Sequence, residues 1–343
     1  MKKGSFICVS ILLIFAGCHQ QNTDKVISIV PLKHQVVLSS NEILIAHPKL
    51  FTATDSLILI CDPITDSLFH LVDKQKKEVT SFGRKGNGPN EFLFPASLYH
   101  YPKGDSLCMM DSNKRSLYSL RFLSDNTPKF FRILNDKETF HCIVLPMSKH
   151  RYISSGVYND ARFYLLDEIG NVIDRYEAFP YRDEKEQQIS KVVLSQAYDG
   201  NMTSDTEGER FAVACYNAKM IAFYKIENNK IVLIKEVNDE YPDYKYSDKH
   251  YQGISRNALT GYISVTASNN YVYALYSGKS YGEHGGLSSV GTSIWVYDWM
   301  GNLVRQLALD VPVSNIQIMK DDKSLYAIVS IPEPEIVKFD IPN

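Results

Sequence analysis

From residue 26 onward, apolar runs of about four to eight residues recur along the chain, each broken by Asp, Asn, Gly, Lys or Pro. The runs are rich in Val, Ile, Tyr and Phe, and no long stretch keeps a helical period, so the pattern predicts an almost all-β protein. The runs also repeat. DSLILICD at residues 55–62 aligns with GDSLCMMD at 104–111, which sets Asp62 and Asp111 forty-nine residues apart. Comparable inner strands at 150–156, 209–216, 270–277 and 323–330 bring the number to six.

Each inner strand is followed by a second run and often by a hairpin and a third, as in residues 161–176, 220–237 and 293–309. Gly170-Asn171, Asn228-Asn229 and Gly301-Asn302 are the residue pairs that tight hairpin turns demand. The unit is a meander of about four strands over roughly 45–60 residues, the size of a propeller blade. The expected architecture is all-β: a six-bladed β-propeller of four-stranded antiparallel blades, with residues 26–343 forming a single domain. The last unit runs through 323–330 and 335–340 and lacks an outermost strand, whereas VISIVPL at 26–32 is a spare strand ahead of the first blade. Pairing the N-terminal strand with the last blade is expected to close the ring and remove the open edges.

Residues 81–95, SFGRKGNGPNEFLFP, punctuate the first blade boundary. Gly83, Gly86 and Gly88 make positive φ cheap, and Pro89 holds Gly88 away from helical geometry, so the chain turns here. A phosphate cradle needs either Lys-Ser/Thr opening a helix or G-x-G-x-x-G in a βαβ unit, and the order here is G-x-x-G-x-G-P with no helix behind it. The expected role is architectural. Arg84 and Glu91 should pair across the turn in preference to Arg84 receiving an anion, with Phe82, Phe92 and Phe94 packed between blades.

The N-terminus changes the picture. Lys2 and Lys3 precede an apolar run over residues 6–16, which is shorter than the roughly 20 residues a spanning helix requires and has the length of an export signal. Phe15-Ala16-Gly17-Cys18 closes it and resembles a bacterial lipobox, so residues 1–17 read as a lipoprotein signal peptide, Cys18 as the lipidated first residue and 18–25 as a polar tether. Loss of Lys2 and Lys3 takes the formal net charge from −2 to −4, and nothing points to a nucleic-acid partner. Cys61, Cys108, Cys142 and Cys215 all sit in apolar strand-like runs, where buried free thiols are favoured over disulfides.

SFGRKGNGPNEFLFPASL followed by a D-S-L-x-x-x-D strand resembles the blade boundary of NHL-like repeats, and with the lipobox and blade count the chain resembles the TolB-like six-bladed propeller lipoproteins of the Bacteroidetes type. The resemblance implies a propeller fold and a lipid-anchored place in the cell envelope of a Gram-negative bacterium, at the outer membrane. It supplies no catalytic residues to carry over.

Candidate chemistry is correspondingly thin. The nine histidines include no H-x-H or H-E-x-x-H pair and do not recur at matching blade positions, so neither a metal site nor a cofactor is expected. Asp62, Asp111, Asp298 and Asp340 follow strand ends, where Asp bonds turn amides. No G-x-S-x-G elbow occurs. The binding candidates lie in two loops: Tyr241, Tyr244, Tyr246, His250, Tyr251, Arg256 and Asn257 in one, Tyr281, Glu283 and His284 in the other. Tyrosines supply contact area at low entropic cost with a hydroxyl to spare, although the same rings could pack the loops against the ring of blades. The reading is a lipid-anchored binding or scaffold module for a protein, peptide or glycan. The alternative is a lyase or hydrolase at the mouth of the central channel.

Overall fold

The computed structural model describes residues 27–39, 42, 45–102, 106–135, 141–247 and 250–342. The expected signal segment, Cys18 and the expected tether lie outside the described residues. Six blade sheets follow one another along the chain, five of four strands and one of five. Blade 1 comprises Leu50–Ala53, Leu57–Cys61, Phe69–Asp73 and Glu78–Phe82; blade 2, Pro95–His100, Leu107–Asp111, Ser116–Phe122 and Pro128–Asn135. Blade 3 comprises His141–Met147, Arg151–Gly156, Phe163–Leu166 and Val172–Tyr176; blade 4, Gly200–Ser204, Arg210–Cys215, Met220–Glu227 and Lys230–Asn238. Blade 5 comprises Tyr262–Ala267, Tyr271–Tyr276, Gly291–Asp298 and Leu303–Val313; blade 6, Asn315–Ile318, Ser324–Val329, Glu335–Asp340 and, from the other end of the chain, His34–Ser39. The first strands of successive blades touch in a closed ring around the axis.

The second strand of each blade, not the first, is the strand that the apolar repeat marks. In blade 2 every residue of Leu107–Asp111 is buried, because this strand has a hydrogen-bonded neighbour on each side and another blade against each face. The innermost strands instead carry Thr52, Ser97, Thr203, Ser264, Thr266 and Gln317. Thr52, Gln317 and Thr266 bond between neighbouring blades, and such polar positions break up the hydropathy of these strands.

An N-terminal strand closes the ring, as expected, but it is His34–Ser39 that pairs antiparallel with Glu335–Asp340. The expected strand at 26–32 contributes Ile29–Leu32, which runs parallel to Leu303–Val313 and adds a fifth strand to blade 5. Pro31 suits that edge because it has no N–H to offer a further neighbour, while Leu32 turns inward and is buried. His34 then crosses the seam, its backbone N–H donating to Asp310 Oδ1 at 3.2 Å.

The hairpins form where the sequence marks them. Asn228 and Asn229 take φ of 51° and 58°, and Gly301 takes 73°. In blades 3 and 5 the same device recurs: Asp167 accepts the backbone N–H of Ile169 and Asn171, and Asp298 those of Met300 and Asn302. Asp62 and Asp111 likewise accept turn amides, whereas Asp340 pairs with Lys338 Nζ at 2.6 Å.

The junction at 81–95 is architectural in geometry. Gly83 has φ of +73°, and a Cβ there would stand 2.8 Å from the Phe69 ring. Phe82, Phe92 and Phe130 gather around Phe69, with the Phe69–Phe130 and Phe69–Phe92 centroids 4.9 and 5.4 Å apart, and fill the space between blades 1 and 2. Two expectations fail here. Glu91 accepts the Gly88 N–H at 2.7 Å, and it meets Arg84 through a short parallel backbone bridge, not through an ion pair. Phe94 is 52% exposed, since a bend at Leu93 breaks the alternation that would have turned it inward. The four described thiols are free, and burial pushes Cys61, Cys108 and Cys215 up to about 12.

Candidate functional site

Because each blade is an antiparallel meander, its turns alternate between two faces of the disc. One face carries the turns between second and third strands and the crossings from blade to blade. The long insertions all emerge there, over blades 3 to 5: residues 177–199, 239–261 and 277–290.

The first insertion contains Glu186–Gln188, a single turn, and Lys191–Ala197, the one regular helix longer than a turn among the described residues. Val193, Leu194 and Ala197 bury one side of that helix. The second insertion, expected as an irregular loop, is a hairpin of Tyr244–Ser247 with His250–Ile254, lying against the helix. Tyr241, Tyr244 and Tyr251 pack with Phe179, Leu194 and Tyr198. Glu186 is the polar centre of this layer, accepting from Arg182 N at 2.6 Å, Tyr198 Oη at 2.6 Å and Tyr244 Oη at 2.7 Å. Burial, then the bond to Glu186, pushes both tyrosine hydroxyls well above the ordinary range. Tyr241, Tyr244 and Tyr251 therefore hold the insertion down.

The remaining candidates stay outside. Tyr246, His250, Arg256, Asn257, Tyr281, Glu283 and His284 are all exposed. The two loops that the sequence separates are joined. The Gly282 N–H donates to Arg256 O at 2.7 Å, and the Arg256 guanidinium lies 5.7 Å from the centre of the Tyr281 ring. Ser280 caps the short helix Tyr281–His284, and Glu283 and His284 approach to 3.8 Å. Tyr216, Tyr246, Leu259, Tyr281 and Leu287 leave large apolar surfaces on this same face.

Beneath the insertions is a cavity of about 370 Å³ between blades 3 and 4, walled by Phe179, Tyr198 and Tyr251 and by polar groups the sequence does not single out: Cys142, Ser195, Gln196, Asp199 and Asn217. Asp199 is open to solvent within it, yet the surrounding protein strips enough water that burial raises its carboxyl above the ordinary value, against the Gly200 N–H at 2.9 Å. Burial and then the Asp199 charge push the Cys142 thiol up to about 11. Tyr251 is raised by burial first and then by Asp199. None of these residues belongs to a recognisable motif. Asp199 reads in sequence as one more acid before a strand.

The central channel is a second cavity, of about 310 Å³, that opens on the opposite face and draws residues from all six innermost strands. Part of its wall is bonded to itself: Thr52 Oγ1 donates to Gln317 Oε1 at 3.3 Å, Gln317 Nε2 to Thr266 Oγ1 at 3.1 Å, and Ser264 Oγ to Asn315 Oδ1 at 3.0 Å. Among the described residues, no three His, Cys, Asp or Glu side chains converge as metal ligands.

Solved structures share this fold at low identity. A Bacteroides fragilis protein described as exported aligns with a TM-score of 0.55 at 12% identity, over 92% of this chain and 100% of that one. Agrobacterium tumefaciens regucalcin, a calcium-binding protein, aligns with a TM-score of 0.52 at 8% identity, over 92% of this chain and 95% of its own. The β-propeller domain of Myceliophteria thermophila Cps50 (Swd1) aligns at 0.51 and 11% identity, over 90% of this chain and 100% of that one. No curated protein matches in sequence. The family described as TolB-like 6-blade propeller-like matches residues 30–321, most of the chain, and it is to this TolB-like six-blade propeller family that the chain belongs.

Proposed function

We propose that the protein is a lipid-anchored binding module of the cell envelope, held to the outer membrane through Cys18 and receiving a protein, peptide or glycan partner on its insertion face. The observation that carries this reading is the meeting of three insertions on one face, where Arg256 and Tyr281 join two loops far apart in sequence beside exposed Tyr216, Tyr246 and Leu287. Aromatic and arginine side chains grouped with apolar surface are the composition of recognition surfaces. The opposite face offers mainly tight hairpins.

The N-terminal strand supports an orientation. Ile29 pairs with Gln306, nearer the Gly301-Asn302 hairpin than Leu32, which pairs with Leu309, so the described chain begins on the side of the opposite face. An anchor at Cys18 then leaves the insertion face directed away from the bilayer. The exported Bacteroides fragilis neighbour is in keeping with a place outside the cytoplasm.

Two experiments test the two halves of the proposal. Cys18→Ser should abolish fatty-acid labelling and release the protein from membranes on fractionation, and unchanged membrane association would refute the anchor. Photo-crosslinking residues placed at Tyr246 and Tyr281 should give adducts in cells, while the same residues at Ile169 and Met300 on the opposite face should not. Equal labelling from both faces would refute the assignment of the surface.

A further inference from the structure

The polar side chains around the cavity beneath the insertions are not chemically balanced. Asn217 Nδ2 donates to the backbone oxygens of Gln196 and Ala197 at 3.3 and 3.0 Å, and Gln196 Nε2 to that of Val192 at 2.9 Å. A carbonyl only accepts, so the atoms facing these oxygens must be the amide nitrogens, and both amide oxygens keep their acceptor capacity. Ser195 spends its hydroxyl proton on Val192 O at 3.0 Å and likewise keeps only acceptor capacity. Asp199 adds a carboxylate. Its hydrogen bond is from the Gly200 N–H at 2.9 Å, and no Lys, Arg or His among the described residues forms an ion pair with it.

One cation does line the cavity. Arg162 is already engaged, donating to Tyr224 Oη at 2.9 Å, facing Glu236 Oε1 at 3.7 Å and lying 4.9 Å from the centre of the Phe163 ring. Arg162 forms no ion pair with Asp199, whose hydrogen-bond partner is the Gly200 N–H. The cavity therefore presents four acceptors, one of them an uncompensated charge, beside the rings of Tyr251 and Phe179.

Such a site is complementary to a group that carries several donors, no acceptor and a positive charge. A sugar hydroxyl brings acceptors as well as donors, and the donors of Asn217 and Ser195 are already spent on backbone carbonyls. An ammonium group brings three N–H donors and supplies Asp199 with an opposite charge, and an aromatic wall is favourable to it as well. We propose that this cavity binds a primary ammonium group of the partner, seated on Asp199 with Asn217, Gln196 and Ser195 as further acceptors. The proposal deepens the reading of the insertion face as a recognition surface and rests on it.

The shared chemistry has two sources, a lysine side chain or an amino sugar, and the probes separate them. Calorimetric titration of the intact propeller with Nα-acetyl-lysine methylamide and with glucosamine, each against its N-acetylated counterpart, should show binding by at least one amine. Acetylation should weaken that binding by about tenfold or more, as should Asp199→Asn. The Asn variant retains an oxygen for the Gly200 N–H and replaces a penalised charge with a neutral amide, so its melting temperature at neutral pH should not fall. Absence of binding by both amines, equal binding of the acetylated forms, or unchanged affinity in a folded Asp199→Asn would overturn the proposal. Crosslinks from Tyr246 and Tyr281 that persist in Asp199→Asn would leave the insertion face as the recognition surface, which separates failure of this site from failure of that reading.

Discussion

Truncation of the chain through Ser39 is expected to abolish cooperative unfolding, whereas truncation through Leu32 should lower the melting temperature and leave the transition intact. The difference follows from what each strand completes. His34–Ser39 is the fourth strand of blade 6, aligned with Glu335–Asp340 at five register positions from His34↔Phe339 to Ser39↔Glu335. Leu38 from the same strand is buried against Phe51 of blade 1 and Ile336 of blade 6. At about 1 kcal/mol for each lost backbone bond and about 2 kcal/mol for Leu38, the loss is at least ~5 kcal/mol, comparable with the whole stability of many domains. It also leaves Glu335–Asp340, the third strand of blade 6, as an uncovered sheet edge. Ile29–Leu32 lies on a blade that already has four strands of its own. Thermal melts of the two truncated chains and the longer one decide the matter, and indistinguishable transitions for the two truncations would place the closure elsewhere.

Asp111→Ala should cost roughly 3–5 kcal/mol, among the largest single-residue effects outside the apolar core. Asp111 is fully buried and accepts three backbone N–H groups, from Leu93 at 2.7 Å, Phe94 at 3.1 Å and Lys114 at 3.0 Å. It thereby ties the segment leading into blade 2 to the turn after that blade's second strand. Alanine would leave three donors facing a space that no acceptor fills. Asp62 does the same in blade 1, accepting from Ala46 at 2.6 Å, His47 at 2.8 Å and Ile64 at 3.1 Å. Urea unfolding should show the loss as a lower midpoint with unchanged slope for either variant. A change below about 1 kcal/mol would mean that water replaces the carboxylate without penalty.

These two aspartates illustrate what the sequence discloses. Their spacing announces a repeat, and their position at a strand exit announces a turn, because Asp bonds backbone amides wherever a chain reverses. Blade number and hairpin positions are legible for the same reason: the second strands of most blades carry a continuous apolar run, and Asn-Asn and Gly-Asn pairs can adopt what the turns require. The closing strand is harder to read. HQVVLS at 34–39 is half polar because one face of an outermost strand meets solvent, so the more apolar 26–32 draws attention instead. The helix Lys191–Ala197 is too short to establish a period. The candidate site divides along physical lines. Arg256 and Tyr281 declare themselves by residue type, but their contact across two loops is a product of the ring. Asp199, Asn217 and Gln196 acquire their character only from what surrounds them and from which of their atoms the backbone has already claimed.

The double seating of the N-terminal segment has a mechanical consequence. Any tension applied to the chain from its N-terminal side reaches Ile29–Leu32 before the seam, and it meets four consecutive register positions from Ile29↔Gln306 to Leu32↔Leu309. A pull directed along that strand loads its hydrogen bonds together instead of one after another. Blade 5 can thus act as a strain relief, leaving His34–Ser39 unloaded until the outer strand has been stripped away.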